Sequence, residues 1–153
     1  MSIKGFVLSI AALTLVSGCH FGKKEEGSPQ RILSDYVSRS FAVKDFGEKS
    51  RLVELTTGEV KEILDRLDEA AFKETFVDSR REFVHLKIKD ERQLEPGKYS
   101  ITYELAYVTK RDENVDKVTN KKHAVFVNEE GKWRISSVQN LKTFIEHQNE
   151  ISF

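Results

Sequence analysis

Along the chain the spacing of apolar positions changes three times, and each change marks a different kind of structure. Gly5 to Val16 is an uncharged apolar run, and His20 to Gln30 (His-Phe-Gly-Lys-Lys-Glu-Glu-Gly-Ser-Pro-Gln) is polar. From there to about Asp78 apolar residues recur at three- and four-residue steps, as one face of an amphipathic helix requires. Beyond Arg80 the step falls to two, the period of a strand with one buried face.

In the helical part, Ser28-Pro29 predicts a helix start, with serine as N-cap and proline in the first turn. Ile32, Leu33, Tyr36, Val37, Ser40 and Phe41 form its stripe. A second helix is expected after Lys44-Asp45, with Phe46, Leu52, Val53 and Leu55 inward. Thr56-Thr57-Gly58 then interrupts the pattern. Thr57 is the expected cap of a third helix with Val60, Ile63, Leu64 and Leu67 on one face, and Asp68 that of a short fourth carrying Ala71, Phe72 and Phe76.

In the strand part, Val84, Leu86 and Ile88 alternate with Phe83, His85 and Lys87. Glu95-Pro96-Gly97-Lys98 is a turn signal. Tyr99, Ile101, Tyr103, Leu105 and Tyr107 follow on one face, opposed by Ser100, Thr102, Glu104, Ala106 and Val108. The charged stretch Lys110 to Asn114 predicts a hairpin loop. A third strand has Val118, Ala124 and Phe126 on one face and Val125 and Val127 on the other. Asn128-Glu129-Glu130-Gly131 turns the chain into Lys132 to Val138. From Asn140, the spacing of Leu141, Phe144 and Ile145 predicts a short terminal helix over the sheet edge. Helices followed by a strand meander make an α+β fold: N-terminal helices packed on a curved four-stranded antiparallel sheet.

Charge narrows the function classes. The chain carries 25 basic and 25 acidic residues, and the first 18 positions hold only Lys4 among them. Such a balance gives no field for nucleic acid, so no nucleic-acid partner is expected. The body, roughly 115 residues, is one domain of ordinary size.

The first nineteen residues have the plan of an export signal: Lys4, then the apolar run, then small Ser17 and Gly18 before Cys19, the single cysteine. The run is shorter than the roughly 20 residues a membrane-spanning helix needs. Leu15-Val16-Ser17-Gly18-Cys19 resembles the lipobox of bacterial lipoproteins. The resemblance implies a signal peptide at 1–18, diacylglycerol on the Cys19 sulfur, cleavage before it, and a lipidated Cys with a flexible tether at 19–29. Two or more acyl chains anchor stably, at roughly 0.8 kcal/mol per buried CH₂. The implied location is the bacterial cell envelope. His20, where retention in the inner membrane favours aspartate, points by the same resemblance to the outer membrane facing the periplasm. With Cys19 acylated, no disulfide or thiolate metal site remains.

The domain, residues 30–153, resembles the NTF2-like (cystatin-like, cone-shaped) superfamily over about residues 30 to 140, in its order of elements and in Asn128-Glu129-Glu130-Gly131-Lys132-Trp133-Arg134-Ile135, the acidic-Gly-Lys-Trp turn into a last strand. Enzymes of that superfamily carry acid–base residues in a pocket between helices and sheet. The candidates here are Tyr36, His85, Tyr103, Glu104, Tyr107 and His123. Tyrosines at period two beside Ile101 and Leu105 read as core or pocket wall, and His85 and His123 as solvated. The four histidines lack metal-ligand spacing, and no phosphate loop or nucleophile elbow is present. The expectation is a non-enzymatic module without metal or cofactor, binding an envelope protein or a small apolar ligand, with Tyr36, Tyr103, Tyr107 and Trp133 as possible pocket lining. The alternative is an envelope enzyme or hydrophobic small-molecule carrier using the cone pocket.

Overall fold

The computed structural model describes residues 27–111 and 114–148. The signal, Cys19 and the tether as far as residue 26 lie outside the described residues, as do two residues of the Lys110–Asn114 loop.

Helix α1 spans Pro29–Ala42. Ser28 caps it, its hydroxyl accepting from the Arg31 amide at 3.3 Å, and Pro29 needs no amide partner there. The expected second helix is split into a 3₁₀ turn, Phe46–Glu48, and α2, Lys49–Val53. Helix α3 is Gly58–Arg66, and α4 is Glu69–Phe72, widening into a π-helical turn over Lys73–Val77. Asp68 caps α4 as its sequence position implies, accepting from Ala71 at 2.8 Å. Thr57 stands at the α3 N-cap but does not cap with its side chain; the hydroxyl donates instead to Glu129 at 2.7 Å. Ile63, expected inward, is 53% exposed, so the α3 stripe narrows to Val60 and Leu64, with Leu67 packed beside the core.

Four antiparallel strands in the order β1-β2-β3-β4 make the sheet: β1 Arg81–Glu95, β2 Lys98–Arg111, β3 Asn114–Glu129 and β4 Lys132–Gln148. Pro96 and Gly97 turn β1 into β2, with Gly97 at φ 77°, the left-handed position a type II turn needs. Glu130 (φ 53°) and Gly131 (φ 83°) make the two-residue β3–β4 turn, whose paired positive φ values match the sheet's twist. Asn128 Oδ1 accepts the Gly131 amide at 3.0 Å.

Register breaks curve the sheet around the helices. One break, between Phe83 and His85, changes the alternation in β1. Phe83 lies opposite Tyr107 with its ring edge-on to Phe41, centroids 5.6 Å apart, yet it is about half exposed, and so is Val84, the extra residue of the bulge. The sequence alternation places Val84 with Leu86 and Ile88, and the bulge takes it out of that face. Leu86 and Ile88, past the bulge, do face the core.

The terminal helix expected from Asn140 is absent: residues 140–148 continue β4, paired with β3 as far as Val115↔Gln148. A break between Lys121 and Lys122 leaves Leu141 as the extra residue, so Leu141, Phe144 and Ile145 acquire a helix-like spacing while remaining in a strand. All three are about half exposed.

Leu33 and Val37 of α1, Leu52 of α2, Leu64 of α3 and Phe72 of α4 meet Ile101, Tyr103, Phe126 and Ile135 on the concave face. Phe72 is fully buried between Phe46 and Phe76. The result is the α+β cone expected of the sequence.

Candidate functional site

The core fills the middle of the cone, and a cleft opens at each end of it. The proximal cleft, about 760 Å³, lies beside the β3–β4 turn among Ile32, Val53, Leu55, Trp133 and Arg134. Glu129 on its wall accepts from Thr57 and pairs with Arg134 at 2.8 Å. The Thr57 hydroxyl, then Arg134, hold its carboxyl below the usual carboxylate range. Trp133 packs edge-on against Tyr99, with centroids 6.2 Å apart.

The distal cleft, about 940 Å³, opens between the π-helical turn and the far ends of β2, β3 and β4. The strand period builds its floor. Opposite Tyr107 lies Val118, opposite Leu105 lies Asn120, and opposite Tyr103 lies Lys122. Across the next ladder, Asn120 meets Thr143 and Lys122 meets Asn140. Asn140 donates to the Thr143 hydroxyl at 2.8 Å, Thr143 to Asn120 at 2.8 Å, and Asn120 to the Tyr107 hydroxyl at 3.5 Å.

Arg81 forms the helical-side wall. Its guanidinium donates to the Ser79 hydroxyl and the Thr75 carbonyl, both at 2.9 Å. It also lies over two rings, 5.2 Å from the centroid of Phe41 and 5.7 Å from that of Tyr107. These contacts fix the group without neutralising it, since an aromatic face attracts a cation but does not cancel its charge. Lys122 is half buried at the same site. Burial lowers its pKa, and the charge of Arg81 pushes the same way. Burial likewise lowers that of Arg81, offset only by Tyr107 and Tyr36.

The sequence candidates separate. Tyr107 lines the distal cleft and Trp133 the proximal one. Tyr36 and Tyr103 sit together between the two clefts: Tyr103 is 3% exposed in the core, and Tyr36 packs against it. Burial pushes the Tyr36 phenol up to about 12, Arg81 opposing, and raises Tyr103 as well. His85, Glu104 and His123 lie on the convex face. His85 is exposed, Glu104 pairs with Lys89 at 3.0 Å, and His123 Nδ1 lies 3.1 Å from the Thr102 hydroxyl. The cleft's two cations, Arg81 and Lys122, are not among the candidates of the sequence reading; of the run Lys121-Lys122-His123 only His123 is considered there, and as solvated. Yet Lys122 is in phase with Val118, Ala124 and Phe126, which the same reading placed on a single face.

No protein-family model matches the chain, and no curated protein does. Solved structures do. A SEC-C motif-containing protein from Rhodopseudomonas palustris is similar at TM-score 0.54 and 14% identity, over 76% of this chain and 80% of that one. The intermembrane-space region of the chloroplast protein ARC6 is similar at 0.54 and 14%, over 73% and 92%. A type 2 hexachlorocyclohexane dehydrochlorinase, LinA, is similar at 0.54 and 11%, over 81% and 91%. At these identities the likeness is one of fold, the NTF2-like cone.

Proposed function

We propose that the chain is a lipid-anchored lipoprotein of the bacterial cell envelope, held by acylated Cys19 at the outer membrane facing the periplasm. Its domain is a non-enzymatic binding module that receives a small ligand in the distal cleft. The anchor rests on Leu15-Val16-Ser17-Gly18-Cys19 and the apolar run before it.

The observation that carries the binding role is the character of the distal cleft. Its floor is a chain of hydrogen bonds among Asn140, Thr143, Asn120 and Tyr107, and its wall is a guanidinium already fixed by Ser79 and Thr75. Groups held in place before a ligand arrives cost little to order on binding. General acid–base chemistry, by contrast, is served by a group poised near the working pH. Among the candidates named from the sequence, Tyr36 and Tyr103 are moved away from that range, and His85, Glu104 and His123 face the other side of the sheet.

A nuclear magnetic resonance screen of small molecules against the full chain in detergent tests the binding role. The expected result is a binder whose shifts concentrate at Tyr107, Val118 and Asn120, recovered unchanged after incubation. Chemical conversion of that binder would overturn the non-enzymatic reading, and binders confined to the convex face would overturn the assignment of the cleft.

A further inference from the structure

Resting on that reading of the distal cleft, we propose that it is an oxyanion site: a carboxylate or phosphate group of a small ligand sits between Arg81 and Lys122 and accepts from the Tyr107 hydroxyl. Three observations carry this.

The first is the unbalanced charge. Two half-buried cations, Arg81 and Lys122, line one cleft, and among the described residues neither is ion-paired with a carboxylate. Burying like charges together is costly unless an opposite charge joins them. The described acidic residues that line the cleft leave that need unmet. Asp116 lies 2.6 Å from His147 Nδ1, and Glu74 and Asp78 are exposed at the rim. Lys110, also at the rim, is taken by Glu82 at 2.7 Å.

The second is direction. Arg81 uses Nε on Ser79 and Nη2 on Thr75, and among the described residues its Nη1 has no hydrogen-bond partner. The Tyr107 hydroxyl accepts from Asn120, so its own proton is available to an acceptor. Lys122 adds three donors and no acceptor. The site therefore offers donors, two of them charged. Oxyanions answer such a set with short, strong hydrogen bonds, and a guanidinium fork matches both carboxylate and phosphate.

The third is room. About 940 Å³ accommodates a ring or short chain behind the anionic group. Val118 and Ile145 line the same cleft and offer apolar contact.

Isothermal titration calorimetry on the full chain in detergent, with benzoate, phenyl phosphate and neutral benzamide as probes, tests the site. One or both anions should bind, more weakly as salt rises, and benzamide at least tenfold more weakly; the ratio of benzoate to phenyl phosphate tells which oxyanion is preferred. Lys122→Gln and Arg81→Gln should each weaken anion binding at least tenfold, while Lys89→Gln on the convex face should leave it unchanged. Because Arg81 also ties the π-helical turn to β1, Lys122→Gln is the decisive variant. Anion affinity that survives Lys122→Gln, or benzamide binding as tightly as benzoate, overturns the oxyanion site. In that second case resonance shifts at Tyr107 and Val118 with benzamide would leave the ligand cleft standing and remove only its charge preference.

Discussion

Thr56 and Ile135 form a parallel bridge that fastens the helical layer to the outer edge of β4. The Ile135 amide donates to the Leu55 carbonyl at 2.9 Å, and the Ile135 carbonyl accepts from Thr57, also at 2.9 Å. The three residues act as a fragment of a fifth strand. They satisfy backbone groups that an edge leaves open, and they set where α3 begins.

Gly58 follows directly, at φ 50°, and a Cβ there would stand 2.8 Å from the Ser136 hydroxyl and 3.3 Å from its carbonyl oxygen. Gly58→Ala combines a left-handed conformation with a close approach. It should destabilise the domain by about 1–3 kcal/mol. Urea unfolding checks this: the midpoint should fall with the slope unchanged.

Glu129 supplies an acid-side prediction. Its pKa is lower folded than unfolded, because it accepts from Thr57 and Arg134. The stability it contributes is present above its ordinary value of 4.5 and is lost as pH falls through the lower, folded value. Glu129→Gln should lower stability at pH 7 and reduce its dependence on pH below 4.5. Thermal unfolding of both proteins across that window would reveal it, and parallel curves would count against it.

Tyr36 acts at the other end of the scale. Its phenol ionises near 10 when unfolded and at about 12 when folded, so the folded state holds the proton longer. That contribution is complete below pH 10 and is lost as pH rises toward 12. Ultraviolet titration of the four tyrosines should show Tyr36 and Tyr103 ionising late, with unfolding. Tyr36→Phe should make stability less sensitive to pH in that range.

Cys19→Ala tests the anchor. The variant should accumulate as an uncut, unlipidated precursor. Mass spectrometry of the membrane fraction reads the outcome; a mature N-terminus at position 19 in the variant, still sedimenting with membranes, would refute lipidation at that residue.

The strongest local signals were legible in the sequence. Ser28 and Asp68 cap the helices they precede, and the alternation from Tyr99 to Tyr107 runs through β2 as written. What escaped depends on partners far along the chain. The alternation of β1 changes at Val84 because β2 imposes a bulge there, and Leu141 to Ile145 is helical in spacing but extended because β3 is long enough to pair with it. The distal cleft was hidden for a related reason. Lys122 is charged, and charge in a run with Lys121 reads as surface; only its pairing with Tyr103 and Asn140 places it on the concave side.

The two halves of β4 differ in what holds their outer edge. Around Ile135 it is bonded to residues 55–57, whereas from Leu141 to His147 it is exposed, and that half walls the distal cleft. The Leu55, Thr57 and Ile135 bonds thus join the two layers at the proximal half of β4 alone, while its distal half, from Leu141 to His147, meets solvent on one side and keeps its pairing with β3 on the other.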